Sequence, residues 1–319
     1  AGAAKKTRMP RIVGVSAGHS HSLFLDDAGR VYACGDGSHG KLGQGDTLPR
    51  LRPTRVRGIP RAFAVSAGGQ HSLVLSRDGA VFAFGKGEDG QLGVNDSEDY
   101  HLPVCVVDTP KMVVISAGGA HSLCLDSTGT AYSFGAGGSG RLGQGDVEDR
   151  YTPEAITVSC WTDTSGLIHE ARSIPKFVSA DAGLEHTLLL DVSGRVFAIG
   201  GHEAGRLGMG DAAHRFFTAQ VMGLPKALCV SAGHYHSMVL VRAVDAENYH
   251  RQFLDAALRL VSEEERRFRR WEEEARRRQA YAIQQAAAMA RYQQQQQQYN
   301  LRQAQYQTEQ GATYGRVGP

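Results

Sequence analysis

The chain has 319 residues, 41% of them apolar and 21% charged, enough to bury the core of one large domain or two ordinary ones. Its formal net charge is only +2, so no global field draws it onto nucleic acid or an acidic membrane, and no run of about 18 apolar residues is present to span a bilayer. Five cysteines (Cys34, Cys105, Cys124, Cys160, Cys229) form an odd, widely spaced set without a C-x-x-C, which argues against a disulfide scaffold or a zinc site and for a reducing compartment.

Two organisations share the chain. Residues 1–242 hold 23 basic and 23 acidic side chains, residues 243–319 hold 12 and 10, and 36 of the 39 glycines precede residue 234. The opening AGAAKKTRMP lacks the apolar stretch of a signal peptide. The front part is repetitive: SAGHSHSLFLD at 16–26 returns as SAGGQHSLVLS, SAGGAHSLCLD, DAGLEHTLLLD and SAGHYHSMVLV, with His21, His71, His121, His186 and His236 at one aligned position. Each HSLxL run is apolar on both faces, as a strand sandwiched between neighbouring sheets must be. A turn with a fixed glycine follows (Gly29, Gly79, Gly129, Gly194), then a strand ending at Gly35, Gly85, Gly135 or Gly200. The loop beyond it carries a Leu-Gly pair. Its later glycine (Gly45, Gly145, Gly210) is Asn95 in the second copy, and Asn tolerates positive φ best after glycine, so the backbone is the reason for the glycine.

Units of about 50 residues with several short strands fit radial blades. The pattern SAGxxHSLxL followed by G-x-V-[YF]-x-x-G-x-G-x-x-G-x-LG-x-G-D resembles the repeat of the regulator-of-chromosome-condensation family, a β-propeller, over about residues 10–242. Four full units and the first half of a fifth are visible where the family usually has seven. The aromatic residue that typically precedes the strand-ending glycine is Cys34, Phe84, Phe134 or Ile199 here. The opening TRMPRIV matches the end of a unit, so the expectation is that further blades lie upstream of Ala1; a small closed propeller or a capping partner are the alternatives. The third-to-fourth spacing is 65 residues rather than 50, which places an insert at 156–174 containing Trp161. An inserted rim loop suits a partner contact, and a tryptophan that merely plugs the longer loop suits it equally.

Behind the repeats, residues 243–303 read as one long charged and Gln-rich α-helix, and 304–319 as a low-complexity tail. SEEERRFRRWEEEARRR at 262–278 carries 13 charges in 17 residues, with Glu-before-Arg pairs four apart such as Glu263–Arg267 and Glu272–Arg276. Phe268 and Trp271 share a face of this helix and are candidate partner contacts; the apolar spacing is too interrupted for a regular coiled coil.

The chemistry-bearing patterns resolve mostly into architecture. G-x-G-x-x-G recurs at Gly35–Gly40, Gly85–Gly90 and Gly135–Gly140 but lacks the following helix and acidic residue of a dinucleotide fold, so these are blade loops. The aligned histidines would stand on a ring too wide for one metal ion; a structural hydrogen bond from each to its own blade is expected, with no metal and no cofactor. Asp46, Asp96, Asp146 and Asp211 close the Leu-Gly loops, where Asp caps a turn; the family resemblance implies that loop side chains on this face engage a small GTPase. No catalytic constellation appears, so the expected function is a non-catalytic protein–protein interaction scaffold, propeller plus docking helix, in a large assembly such as a ciliary or flagellar axoneme. The alternative is guanine-nucleotide exchange on a small GTPase, which the resemblance implies for some members. Nucleic-acid and membrane partners are not expected, and the expected location is cytoplasmic, with a cytoskeletal assembly as the finer guess.

Overall fold

The HSLxL runs, apolar on both faces, become central strands here, because a sheet lying between two others is covered on both sides. The structure, a computed structural model, describes residues 11–156, 160–162, 168–170 and 175–241. All of these fall within the first of the chain's two units, Ala1–His250. The helix expected over 243–303, with Phe268 and Trp271, and the tail 304–319 lie outside the described residues.

Four antiparallel four-stranded sheets follow one another along the chain. The first comprises β1 (Ile12–Ala17), β2 (His21–Asp26), β3 (Val31–Gly35) and β4 (Arg50–Arg55). The second comprises β5 (Ala62–Ala67), β6 (His71–Ser76), β7 (Val81–Gly85) and β8 (Tyr100–Cys105), and the third β9 (Met112–Ala117), β10 (His121–Asp126), β11 (Ala131–Gly135) and β12 (Arg150–Ala155). A hairpin then pairs β13 (Cys160–Thr162) with β14 (Ile168–Glu170) inside the expected insert, and Trp161 stands opposite His169. The fourth blade is β15 (Phe177–Ala182), β16 (His186–Asp191), β17 (Val196–Gly200) and β18 (Arg215–Gln220). A two-stranded sheet of β19 (Ala227–Ala232) and β20 (Ser237–Val241) supplies the half unit.

The glycine punctuation has the expected backbone cause. Gly29, Gly79, Gly129 and Gly194 turn between the second and third strands at φ 78 to 90°, and Asn95 sits at φ 68° where Gly45, Gly145 and Gly210 have 86, 94 and 79°. In three of the blades a buried aspartate ties the turn: Asp26 accepts from the backbone N–H of Ala28 and Arg30 (3.0 and 2.8 Å), and Asp126 and Asp191 repeat the arrangement. Ser76 substitutes in the second blade by donating to the carbonyl of Ala80 at 2.8 Å.

The core lies between blades. Leu23, Leu25, Val31 and Ala33 of the first blade pack on Ala62, Ala67, Val74 and Phe84 of the second, and the same positions recur at each later junction. The residue before the strand-ending glycine plugs beneath the Leu-Gly pair of the preceding blade. A Cβ on Gly43 or Gly93 would come within 3.0 and 2.8 Å of the Phe84 and Phe134 rings, and one on Gly143 within 2.8 Å of Ile199. The departures Phe84, Phe134 and Ile199 thus fill one and the same slot, each fully buried. Ile12 and Val15 of the first blade and Met238 and Leu240 of the last half blade are exposed, whereas Ala62, Met112 and Phe177, which align with Ile12, are buried.

Candidate functional site

The SAGxxHS motif closes the first three junctions with three bonds to the next blade, and the fourth with the first and third of them. Ser16 Oγ accepts the N–H of Ala67, Ser66 that of Ala117, Ser116 that of Ala182, and Asp181 that of Ala232, at 2.8–3.0 Å. The residue after the motif's glycine donates its N–H to a glycine carbonyl one blade on, from His19 to Gly68, Gly69 to Gly118 and Gly119 to Gly183. Then come the histidines. His21 Nε2 meets Ser72 Oγ at 2.8 Å, His71 meets Ser122 at 2.9 Å, His121 meets Thr187 at 3.0 Å and His186 meets Ser237 at 3.0 Å.

The expectation that each imidazole bonds its own blade is therefore corrected: the partner is the hydroxyl one blade along. The hydroxyls donate in turn to the carbonyls of Lys41, Gln91, Arg141 and Arg206 at 2.6–2.9 Å, so each accepts from a protonated Nε2. Nδ1 of His21, His71, His121 and His186 is buried without a partner. It stacks over the motif glycine; a Cβ on Gly18, Gly68, Gly118 or Gly183 would come within 3.0 Å of the ring. Burial holds these imidazoles neutral, His71 and His186 down to about 3 and His21 to about 4, with His121 well below its ordinary value. His236 carries the same motif position in the last half blade and is exposed.

The loops at this end of the blades form the candidate face. The loop after each third strand is tied to the residue before the repeat histidine: Asp36 N–H donates to Ser20 O, Lys86 to Gln70, Ala136 to Ala120 and Gly201 to Glu185. Between them stands the residue preceding Leu-Gly. Lys41 Nζ, fully buried, donates to Asp36 Oδ2 (2.6 Å), Ser38 Oγ (2.9 Å) and Gln70 Oε1 of the next blade (2.5 Å). Arg141 donates to the carbonyls of Gly138 and Leu184 and lies 3.6 Å from Glu185. Arg206 pairs with Glu203 and, at 3.5 Å, with Glu185, while its guanidinium lies 5.2 Å from the Tyr235 ring centre. Glu185 thus bridges the arginines of two successive loops.

The electrostatic layering of this face is consistent. The side chains of Lys41, Arg141 and Arg206 are 0, 11 and 1% exposed, whereas their partners Asp36, Glu185 and Glu203 are 46, 35 and 47% exposed. Cations lie beneath and carboxylates above. The hydrogen bond from the Lys41 ammonium, with those of Ser38, holds the Asp36 carboxyl well below the usual carboxylate range, and Lys86 lowers Glu88 in the same way. These carboxylates are ionised at neutral pH.

The loop-closing aspartates are committed internally. Asp46, Asp96, Asp146 and Asp211 each accept a backbone N–H two residues on, at 3.0–3.2 Å. Their second oxygen takes the side chain four residues on: Arg50, Tyr100, Arg150 and Arg215. Trp161 lies in β13. The charged layer of Lys41, Arg141, Arg206, Glu185 and Glu203 was not singled out from the sequence. Its signal was available: among otherwise similar units the residue before Leu-Gly (Lys41, Gln91, Arg141, Arg206) and the residue before the histidine (Ser20, Gln70, Ala120, Glu185, Tyr235) change in charge from one unit to the next.

Comparison with known proteins agrees with this architecture. The regulator of chromosome condensation (RCC1) repeat matches residues 28–75, 78–125, 128–190 and 193–240. The human E3 ubiquitin-protein ligase HERC2 is 44% identical over 52 residues, 16% of this chain and 1% of that protein. A human RCC1-like G exchanging factor-like protein is 44% identical over 48 residues, 15% of this chain and 10% of its own. The chain thus spans a small part of the curated relatives it matches. The crystal structure of human WBSCR16 superposes with a TM-score of 0.65 at 28% identity, covering 75% of this chain and 60% of that one. Repeat matches over most of residues 28–240, with the blade structure beneath them, make this chain a member of the RCC1 repeat family.

Proposed function

We propose that the blades are a rigid, non-catalytic docking platform whose loop face presents carboxylates to a basic surface of a protein partner. The observation that carries this reading is the layering of Asp36, Glu185 and Glu203, exposed above the buried Lys41, Arg141 and Arg206. Buried cations fix the positions of the acids, so they meet a partner already oriented, and steering by such a field speeds association. The aspartates at 46, 96, 146 and 211 contribute by holding the loops, and Trp161, Phe268 and Trp271 remain proposed secondary contacts. Within this reading the segment 243–303 docks along another protein of a large assembly, of which a ciliary or flagellar axoneme is one example.

The second reading is nucleotide exchange on a small GTPase, favoured by the 44% identity over 48 residues to the human G exchanging factor-like protein. Release of a fluorescent guanine nucleotide from a panel of purified small GTPases, measured with the full chain, separates the two. The docking reading expects release at the uncatalysed rate for every member; a tenfold acceleration of any of them, lost on Glu185→Lys, overturns it in favour of exchange.

A further inference from the structure

The loop of the fourth blade departs from its three counterparts at two positions at once. His202 stands where the others have Gly37, Gly87 and Gly137, and His214 stands where they have Pro49, Asp99 and Asp149. In the second and third blades this pair is a loop clasp: the N–H of Gly87 donates to Asp99 at 3.0 Å and that of Gly137 to Asp149 at 2.8 Å. No side chain fits there, since a Cβ on Gly37, Gly87 or Gly137 would come within 2.2, 1.9 and 2.0 Å of a backbone carbonyl oxygen across the loop. The fourth loop has opened enough to admit an imidazole at this point, and a second imidazole faces it.

The resulting geometry suits a metal ion. His202 Nδ1 and His214 Nδ1 are 3.5 Å apart, with ring centres 4.6 Å apart and the rings 74° from parallel. Two nitrogens bound to one tetrahedral Zn²⁺ at about 2.05 Å stand about 3.3 Å apart, so the pair is within a small side-chain movement of a ligand edge. As a hydrogen bond between two imidazoles, 3.5 Å is at the long limit. Glu203 supplies the third donor: its Oε2 pairs with Arg206, and one ligand atom from each of the three residues falls within 4.8 Å of the others. His202 and His214 are half-buried and Glu203 is exposed, which leaves an open position for water or a partner's side chain.

The geometry points to a divalent transition-metal site formed by His202, His214 and Glu203 on the loop face of the fourth blade. Two imidazoles and one carboxylate select Zn²⁺, Co²⁺ or Cu²⁺ over Mg²⁺ and Ca²⁺, which take oxygen sets. Bound there, the ion staples the two ends of the loop that Gly–Asp clasps close in the second and third blades. Nothing in this depends on what the face docks.

The test uses the tag-free full chain, stripped with a chelator and titrated calorimetrically with Zn²⁺ in the presence of excess Mg²⁺. Co²⁺ absorption reports the ligand geometry. The double variant His202→Gly, His214→Asp restores the clasp of the third blade and so preserves folding, which circular dichroism and thermal unfolding verify. The expected result is one Zn²⁺ per chain, tetrahedral Co²⁺ bands, and at least about 100-fold weaker binding in the double variant, since it loses both imidazoles and its new Asp is engaged in the clasp. Glu203→Gln weakens binding by about tenfold while leaving the imidazoles in place. Absence of binding at about 100 μM Zn²⁺ overturns the proposal, as does equal affinity in a folded double variant or displacement by millimolar Mg²⁺.

Discussion

Ser122 tests the inter-blade relay most sharply. It is fully buried, accepts from His71 Nε2 at 2.9 Å and donates to Gln91 O at 2.7 Å. Ser122→Ala removes both bonds without opening a cavity larger than one oxygen. His71 cannot recover by moving, because Gly68 lies against its ring and its Nδ1 already has no partner. A buried donor left unsatisfied costs about 1–3 kcal/mol, so an unpaired imidazole N–H plus a lost hydroxyl–carbonyl bond predicts a loss of about 2–4 kcal/mol. In urea that moves the unfolding midpoint down by about 1–2 M for an ordinary denaturant slope. Ser122→Thr is the control, because Thr187 makes the same two bonds one blade further on, at 3.0 and 2.9 Å. It should stay within about 1 kcal/mol of the parent protein. A Ser122→Ala variant within about 0.5 kcal/mol of the parent, or a Thr variant as damaged as the Ala one, would refute the relay as a source of stability.

Two further outcomes follow from burial. His21, His71, His121 and His186 are held far below the 6.5 of a free imidazole. The unfolded chain therefore binds more protons than the folded one below about pH 6.5, and stability falls as pH drops through that value. His21, His71 and His186 each subtract about 2 kcal/mol at pH 5 relative to pH 8, about 6 kcal/mol together, and His121 acts in the same direction. This rivals the whole stability of a domain, so cooperative loss of near-ultraviolet circular dichroism is expected between about pH 6 and 4, and an unchanged urea midpoint at pH 5 contradicts the assignment. Burial also pushes the Cys124 thiol up to about 12, while Cys105 and Cys229 are exposed. Iodoacetamide at pH 8 followed by peptide mass spectrometry should label Cys105 and Cys229 in minutes and Cys124 only after denaturation; prompt labelling of Cys124 would mean that the third blade opens.

Period and turn chemistry were legible in the sequence because each is imposed by a local constraint. The strand-ending glycines and the Asn95 exchange follow from backbone positions of positive φ, and the His motif recurs with the unit itself. The partner of each histidine was not legible, since a bond spanning 51 or 66 residues to an equivalent position one unit on looks identical, in sequence, to one within the unit. Nor were the positive φ values of His39, Ser139 and Ala204, near 60°, where none of the three residue types announces the left-handed region. The charged layer was hidden for a related reason. Lys41, Arg141 and Arg206 read as ordinary surface residues, and only the packing of one blade's loop against the next shows that they are buried beneath acids.

Contact between the acidic loop face and a protein partner is the central claim, and zero-length carbodiimide cross-linking of the native assembly, read by mass spectrometry, tests it most directly. The reagent joins carboxylates to the lysines they touch, whatever protein carries those lysines. Partner lysines are expected on Asp36, Glu88 and Glu185, which lie in the loops at this end of the blades, and those links should disappear in Glu185→Lys with the blades still folded. Partner links confined to the acids of other surfaces, such as Glu154 on β12, with the loop face unmodified by the partner, would contradict the claim.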